Sequence, residues 1–174
     1  AHVGGGLSVA CHKQGRMIDT NDVLEGSGPF APNRSGDVPL KPVVKLAFSE
    51  GHSKKEIDGV IGKTGGLVGL CGTDDARTIC KRIEAGDEWA RIVYEAMAYQ
   101  VAKAIGGFAA VLKGQVDGIV LTGGVSNDPY FVNYVSERAG WIAPVKVYGG
   151  DFEMEALASG AIRALDGVEK VMTY

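Results

Sequence analysis

A histidine and an arginine stand beside glycine-rich stretches in the first part of the chain. His2 is followed almost at once by Gly4-Gly5-Gly6-Leu7-Ser8. Glycines let backbone N–H groups come close to a phosphate, and an imidazole beside them can donate a hydrogen bond to it. Arg34 sits in Asn33-Arg34-Ser35-Gly36, inside a loop long enough to be functional. A guanidinium projected from a fixed loop suits a phosphoryl group or a carboxylate, which it grips with two parallel hydrogen bonds. A third stretch runs from Val116 to Asp128, Val-Asp-Gly-Ile-Val-Leu-Thr-Gly-Gly-Val-Ser-Asn-Asp. Its apolar core Ile119 to Leu121 reads as a buried strand that stops at Thr122-Gly123-Gly124. On pattern alone a surface histidine, a solvated loop arginine and an ordinary strand-to-helix turn look the same.

The elements that must hold these residues follow from periodicity. Gly4 to Ala10 and Met17 to Asp19 flank the turn Lys13-Gln14-Gly15-Arg16 and read as a hairpin with a glycine-rich beginning. Residues 20–38 are dense in Gly, Pro, Asn and Ser, with Phe30 between two prolines as an anchor. Leu40 to Ser49 is helical by its apolar spacing, and Ser53-Lys54-Lys55-Glu56 is a capping box that opens a helix to Ile61. Gly62-Lys63-Thr64 resembles a phosphate-binding P-loop only at a glance, because the GxxxxGK[ST] spacing is absent and no strand leads into it. Thr73 is expected to cap a helix with Asp74 and Asp75 in its first turn.

A long helix is expected from Asp87 to Leu112, with Trp89, Ile92, Val93, Ala96, Met97, Val101, Ile105, Phe108, Ala109 and Leu112 as its core stripe. Its small-residue end, Ala104-Ile105-Gly106-Gly107, would allow close packing or self-association. Asn127 is expected to cap the next helix, opened by Asp128 and Pro129 and running through Arg138. Val145 to Tyr148 then gives a strand parallel to the first, joined by a right-handed crossover. It too ends in glycines, Gly149-Gly150, before acids and a last helix through Leu165. A strand that ends in glycines and feeds a helix presents free N–H groups at its carboxyl end, where open α/β sheets bind nucleotides.

Composition narrows the function classes. The 174 residues suffice for one domain with a sizeable core. A formal net charge of -3 offers no basic patch, which argues against nucleic acid or an anionic membrane as partner. No apolar run approaches the roughly 20 residues that span a bilayer. Cys11, Cys71 and Cys80 are odd in number and lack metal-ligand spacing, so free thiols in a reducing cytoplasm are expected. The 26 glycines are about twice ordinary usage and cluster in loops. The chain has no initiator Met and starts directly on a strand, so residues before Ala1 are expected.

These segments together carry a resemblance. His2-Val-Gly-Gly-Gly-Leu-Ser resembles the second phosphate loop of the acetate and butyrate kinases. Gly26-Ser-Gly-Pro-Phe-Ala-Pro-Asn-Arg34-Ser-Gly is similar to their catalytic arginine segment. Gly72-Thr-Asp-Asp-Ala-Arg77 and Leu121-Thr-Gly-Gly-Val-Ser-Asn127 resemble their adenosine-side motifs. Glu95-Ala-Met-Ala-Tyr-Gln and Glu153-Met-Glu-Ala-Leu-Ala resemble the butyrate kinases in particular. The likeness covers essentially the whole chain in order. It implies the α/β, actin-like, ribonuclease H-like ATPase fold of the acetate and sugar kinase superfamily, and of that fold only the carboxyl-terminal, nucleotide-binding lobe. The first phosphate loop, the catalytic aspartate and most of the acyl pocket belong to a preceding lobe. Two departures stand out: Phe152 lies where an acidic residue is usual, and Gly149-Gly150 replaces a Pro-Gly.

The resemblance implies reversible phosphoryl transfer between ATP or ADP and a short-chain carboxylate or its acyl phosphate, in a cytoplasmic homo-oligomer. His2 and Arg34 would be catalytic. Gly4, Gly5, Gly6 and Ser8 would bind phosphate. Gly72, Asp75, Ala76, Arg77, Gly123, Gly124 and Asn127 would contact the nucleotide. Mg2+ would bridge the phosphates of ATP/ADP, with Glu153 as an outer-shell carboxylate. The 174 residues alone would then be inactive. The alternative from another class is a non-catalytic nucleotide-binding or assembly module, since fold does not fix function.

Overall fold

The computed structural model describes residues 1–22, 24–150 and 152–171; the side chain of Glu153 lies outside the described set. Four short strands open the chain: β1 (His2–Val3), β2 (Leu7–Ser8), β3 (Ala10–Lys13) and β4 (Arg16–Thr20). There are thus two hairpins in succession where the sequence predicts one. The glycine run Gly4 to Gly6 itself reverses the chain between β1 and β2, and the second hairpin is a separate two-stranded sheet.

The main sheet has the order β2-β1-β5-β6, with β5 at Ile119–Gly123 and β6 at Val145–Gly149. β5 lies parallel to both β1 and β6, as the crossover rule requires of two strands joined through a helix. In β5, Ile119 and Leu121 are buried whereas Val120 is exposed. That alternation places Thr122 on the face opposite the core.

Seven helices are present among the described residues. α1 (Leu40–Ala47) and α2 (Lys54–Gly62) bury no residue fully, and α2 carries the expected reciprocal capping box between Ser53 and Glu56. α3 (Gly66–Cys71) was not expected from the sequence and packs Gly66 and Leu67 inward. α4 (Ala76–Glu84) starts later than predicted. Its cap is Asp75, not Thr73, because the Asp75 carboxylate takes the Arg77 N–H and the Thr78 hydroxyl, while the Thr73 hydroxyl is already used by the Asp75 N–H.

The central element is α5 (Glu88–Val111), capped by Asp87. Tyr94, Met97 and Val101 are fully buried in it, as are Ala90 and Ala98. Two residues of the predicted core stripe do not belong there: Trp89 and Ile92 are 54% and 50% exposed. Trp89 instead hands its indole N–H to the Leu70 carbonyl, so its polar tip decides its place. A Cβ on Gly106 or Gly107 would meet nothing within 4 Å, so these glycines serve no close packing among the described residues.

α6 (Pro129–Ala139) packs along α5, with the Tyr94 and Phe131 rings 5.7 Å apart. Its cap is Asp128 rather than Asn127, because the Asp128 carboxylate accepts from the Tyr130 and Phe131 N–H groups. Asn127 belongs to the preceding short 3-10 turn, Gly124–Asn127. α7 (Glu153–Leu165) closes the chain after β6.

Candidate functional site

One row of residues crosses all four strands of the main sheet. Ser8 pairs with His2, His2 with Thr122, and Thr122 with Tyr148. The neighbouring Leu7, Val3 and Leu121 point the other way and are buried. Ser8, His2, Thr122 and Tyr148 therefore share the face away from the core, next to the carboxyl ends of the parallel strands. His2 Nδ1 lies 3.0 Å from Thr122 Oγ1. Its Nε2 leans over the glycine turn, 3.1 Å from where a Cβ on Gly4 would stand.

The strands can converge here because of glycine. Gly123 has φ +89°, and a Cβ on it would fall 2.5 Å from the Val3 carbonyl oxygen. No side chain fits between β1 and β5 at that level. The next residue differs: around Gly124 there is open space, and it is exposed. Asn127 folds back over the sheet end, donating to the Gly124 carbonyl at 3.1 Å, and its Oδ1 occupies the place a Cβ on Gly149 would take. The absence of a side chain at Gly149 thus leaves room for Asn127.

The loop that carries Arg34 is braced and passes this edge. Asn21 accepts from the Val9 N–H at 2.7 Å and donates to the Ser27 carbonyl, fixing the start of the loop to the hairpins. Phe30 is buried and gives its N–H to Gln100 of α5. The run Gly62-Lys63-Thr64-Gly65-Gly66, rejected above as a P-loop, turns out to be the loop's support. A Cβ on Gly66 would fall 1.7 Å from the Ala31 carbonyl oxygen, and one on Gly65 would fall 2.7 Å from the Ser35 nitrogen. The Val68 N–H donates to Pro32 and the Ser35 N–H to Ile61. The loop then passes the glycine turn: Asn33 Nδ2 is 3.6 Å from the Cβ position of Gly5. His2, Gly4, Gly5 and the segment carrying Arg34 are brought together, although 31 intervening residues separate His2 from Arg34.

The residues expected to contact adenosine have structural duties. Gly72 ends α3 in the left-handed conformation. Asp75 caps α4 and holds Arg77 Nε at 2.9 Å; that hydrogen bond and the one from Thr78 keep its carboxyl below the usual range. Ala76 packs against the core. Beneath them, Asp128 Oδ2 accepts from Tyr94 at 2.8 Å and from Cys80 at 3.3 Å, tying α4, α5 and α6 together. Burial, with Asp128 next, pushes the Cys80 thiol up to about 11. Burial and the Glu95 carboxylate push Tyr130 up to about 12.

A cleft of about 620 Å³ shares His2, Ser8 and Thr122 with the polar row. Its other walls are mostly apolar, among them Ile105, Phe108, Leu112 and Ile142, and neither Arg34 nor Gly123 lines it. Of the residues expected to meet a phosphoryl group, His2 and Ser8 therefore border this cleft, whereas Arg34 does not. The metal candidate Glu153 starts α7, but its side chain, like Asp151, lies outside the described residues. Among the described residues no three His, Cys, Asp or Glu side chains converge as a metal site, and no helix is long and apolar enough to cross a membrane. Sequence reasoning missed Thr122, Asn33 and the Gly65-Gly66 support. Strand alternation would have put Thr122 on the face opposite Leu121, and the β1–β5 pairing sets His2 beside it.

The fold is that of the acetate and sugar kinase superfamily, the actin-like ATPase class. Acetate kinase from Porphyromonas gingivalis superimposes with a TM-score of 0.82 at 27% identity, covering 94% of this chain and 48% of that one. A propionate kinase from Francisella tularensis superimposes with a TM-score of 0.77 at 22% identity, covering 88% of this chain and 46% of that one. Residues 1–163 match the Acetokinase family, and the chain belongs to it. A probable butyrate kinase from Clostridium botulinum (strain Eklund 17B / Type B) is 47% identical over 174 residues, 99% of this chain and 49% of the relative. The chain thus spans about half the length of the curated relatives it matches.

Proposed function

We propose that these residues form the nucleotide-binding half of an acyl kinase that moves a phosphoryl group between ATP and a short-chain carboxylate such as butyrate. The observation that supports this best is the meeting of His2, the Gly4-Gly5 turn and the Arg34 loop at one sheet edge. Acyl phosphate and ADP would give carboxylate and ATP, and the reverse. Such a transfer needs positioning and charge neutralisation more than covalent help.

In this reading the N–H groups of Gly4 to Gly6 and the Ser8 hydroxyl cradle the phosphoryl group. His2 Nε2 donates to one of its oxygens. Arg34 neutralises the oxygens that carry charge in flight, and the buried Phe30 anchor keeps its loop from moving away. Gly123, Gly124 and Asn127, with Gly72 and the Asp75–Arg77 turn, hold the nucleotide. Mg2+ would come with ATP or ADP and offset the charge of its phosphates when bound. Glu153, the first residue of α7, would be an outer-shell carboxylate for it. The acyl group would be received by the part of the relatives that this chain does not span, in a cytoplasmic homo-oligomer, so the 174 residues alone would be inactive.

The test is acyl hydroxamate formation from butyrate, ATP and hydroxylamine. A full-length kinase carrying this chain should turn over and lose turnover on His2→Ala and on Arg34→Ala. The 174 residues alone should show none. Turnover unaffected by both substitutions would contradict the assignment.

A further inference from the structure

We propose that Thr122 is a positioning residue for His2: its hydroxyl holds Nδ1 so that the ring carries its other proton on Nε2, facing the phosphoryl group. This rests on the acyl kinase reading above. Thr122 follows the buried Leu121 in β5, so alternation puts its side chain on the exposed face. The parallel register sets His2 of β1 directly beside it. The two side chains meet at 3.0 Å, Nδ1 to Oγ1. Both come from paired strands, and Gly123 locks the spacing by admitting no Cβ against Val3. The pair is therefore held by the sheet rather than by two flexible loops.

A hydroxyl can donate or accept, so it serves either charged state of the ring. With neutral imidazole it donates to Nδ1, which leaves the hydrogen on Nε2. With imidazolium it accepts from Nδ1, and Nε2 again carries a hydrogen. In both states Nε2 is a donor over the Gly4 turn. The remaining tautomer, with the proton on Nδ1, would aim a lone pair at an anionic ligand and is disfavoured once phosphate is present. A partner on the far ring nitrogen fixes the tautomer in this way in other histidine sites. Thr122 need not touch the phosphoryl group to matter.

The test is ¹⁵N NMR of the histidine rings in the full chain with inorganic phosphate, His2 being assigned by its loss in His2→Gln. The native protein should show the pattern of a proton on Nε2. Thr122→Val, which keeps the shape and removes the hydroxyl, should shift the Nδ1 resonance as its hydrogen bond is lost, and Thr122→Ser should bring the native pattern back. Identical His2 patterns in the native protein and Thr122→Val would overturn the proposal. Thermal unfolding of Thr122→Val should match the native protein, which separates a lost hydrogen bond from a lost fold.

In the full-length kinase, Thr122→Val should lower kcat by about tenfold or more with KM for ADP nearly unchanged. If His2→Ala abolishes turnover while Thr122→Val does not lower kcat, the positioning role fails and the kinase reading stands. If His2→Ala itself leaves kcat unchanged, the kinase reading of His2 fails, and the NMR result still decides whether Thr122 sets its tautomer.

Discussion

Tyr94 donates its phenolic hydrogen to Asp128 Oδ2 at 2.8 Å, joining the buried middle of α5 to the cap of α6. The same carboxylate caps the two first free N–H groups of α6, so one side chain serves both the helix and the helix pair. Tyr94→Phe keeps the ring packing and removes one hydrogen bond, with an expected loss of about 1 kcal/mol. Asp128→Ala removes the cap and also leaves the buried Tyr94 hydroxyl unsatisfied. It should cost about 2–4 kcal/mol. Urea unfolding of the two variants checks the ranking, and equal midpoints would contradict it.

Two glycines should respond in opposite directions to alanine. Gly66 has φ +57°, and its Cβ would collide with the Ala31 carbonyl oxygen. Gly66→Ala is expected to cost more than about 2 kcal/mol and to release the Arg34 loop, seen as faster proteolysis within residues 24–38. Gly107 lies inside α5 with open space around it. Gly107→Ala should stabilise by about 0.5–1 kcal/mol in thermal or urea unfolding.

Cys80 should be slow to alkylate. Its thiol is raised from 9.0 to about 11, first by burial and then by the Asp128 carboxylate. At pH 8.5 the thiolate fraction is then roughly a hundredfold below that of an ordinary thiol. Because the folded value exceeds the unfolded one, its contribution to stability is complete below pH 9 and is lost as pH rises toward 11. Mass spectrometry after iodoacetamide at pH 8.5 measures this, and Cys80 labelling as fast as a free thiol would contradict it.

Arg34 separates transfer from binding. Arg34→Ala in a full-length kinase is expected to lower kcat by about 10²–10³ while the affinity for ADP changes little, because its charge matters most when the phosphoryl group is in flight. Lysine should rescue only part, keeping the charge but losing the planar fork. A kcat within about twofold of the parent would return Arg34 to an ordinary loop residue, whose loss usually costs under about 0.5 kcal/mol.

Much of the site was legible because its signals are local. The strand Ile119 to Gly123, the glycine stop and the helix after it lie within one short stretch, and the capping box of α2 is set by four residues. Cap choice was harder. Thr73 and Asn127 are good cap types, but in each case an aspartate further along takes the first N–H groups of the helix and gains an extra partner, Thr78 in one case and Tyr94 in the other. The Gly62 to Gly66 run was unreadable for a different reason. Gly65 and Gly66 are required by the backbone of residues 31–35, which approaches only in the folded chain. The burial of Trp89 failed similarly: helical spacing marks a face, and the Leu70 carbonyl that draws the indole outward is fixed by tertiary structure.

The proposed nucleotide edge is tested most directly at Gly124. Its neighbour Gly123 cannot accept a side chain without striking Val3, so a change there would confound folding with binding. Gly124 faces open space, and a branched side chain at that position blocks only whatever ligand enters. Titration calorimetry of magnesium ADP into a full-length kinase carrying Gly124→Val should show affinity at least about tenfold weaker than the parent, a loss of 1.4 kcal/mol or more, with an unchanged unfolding midpoint. Equal affinity in the two proteins would remove this strand end from the nucleotide site.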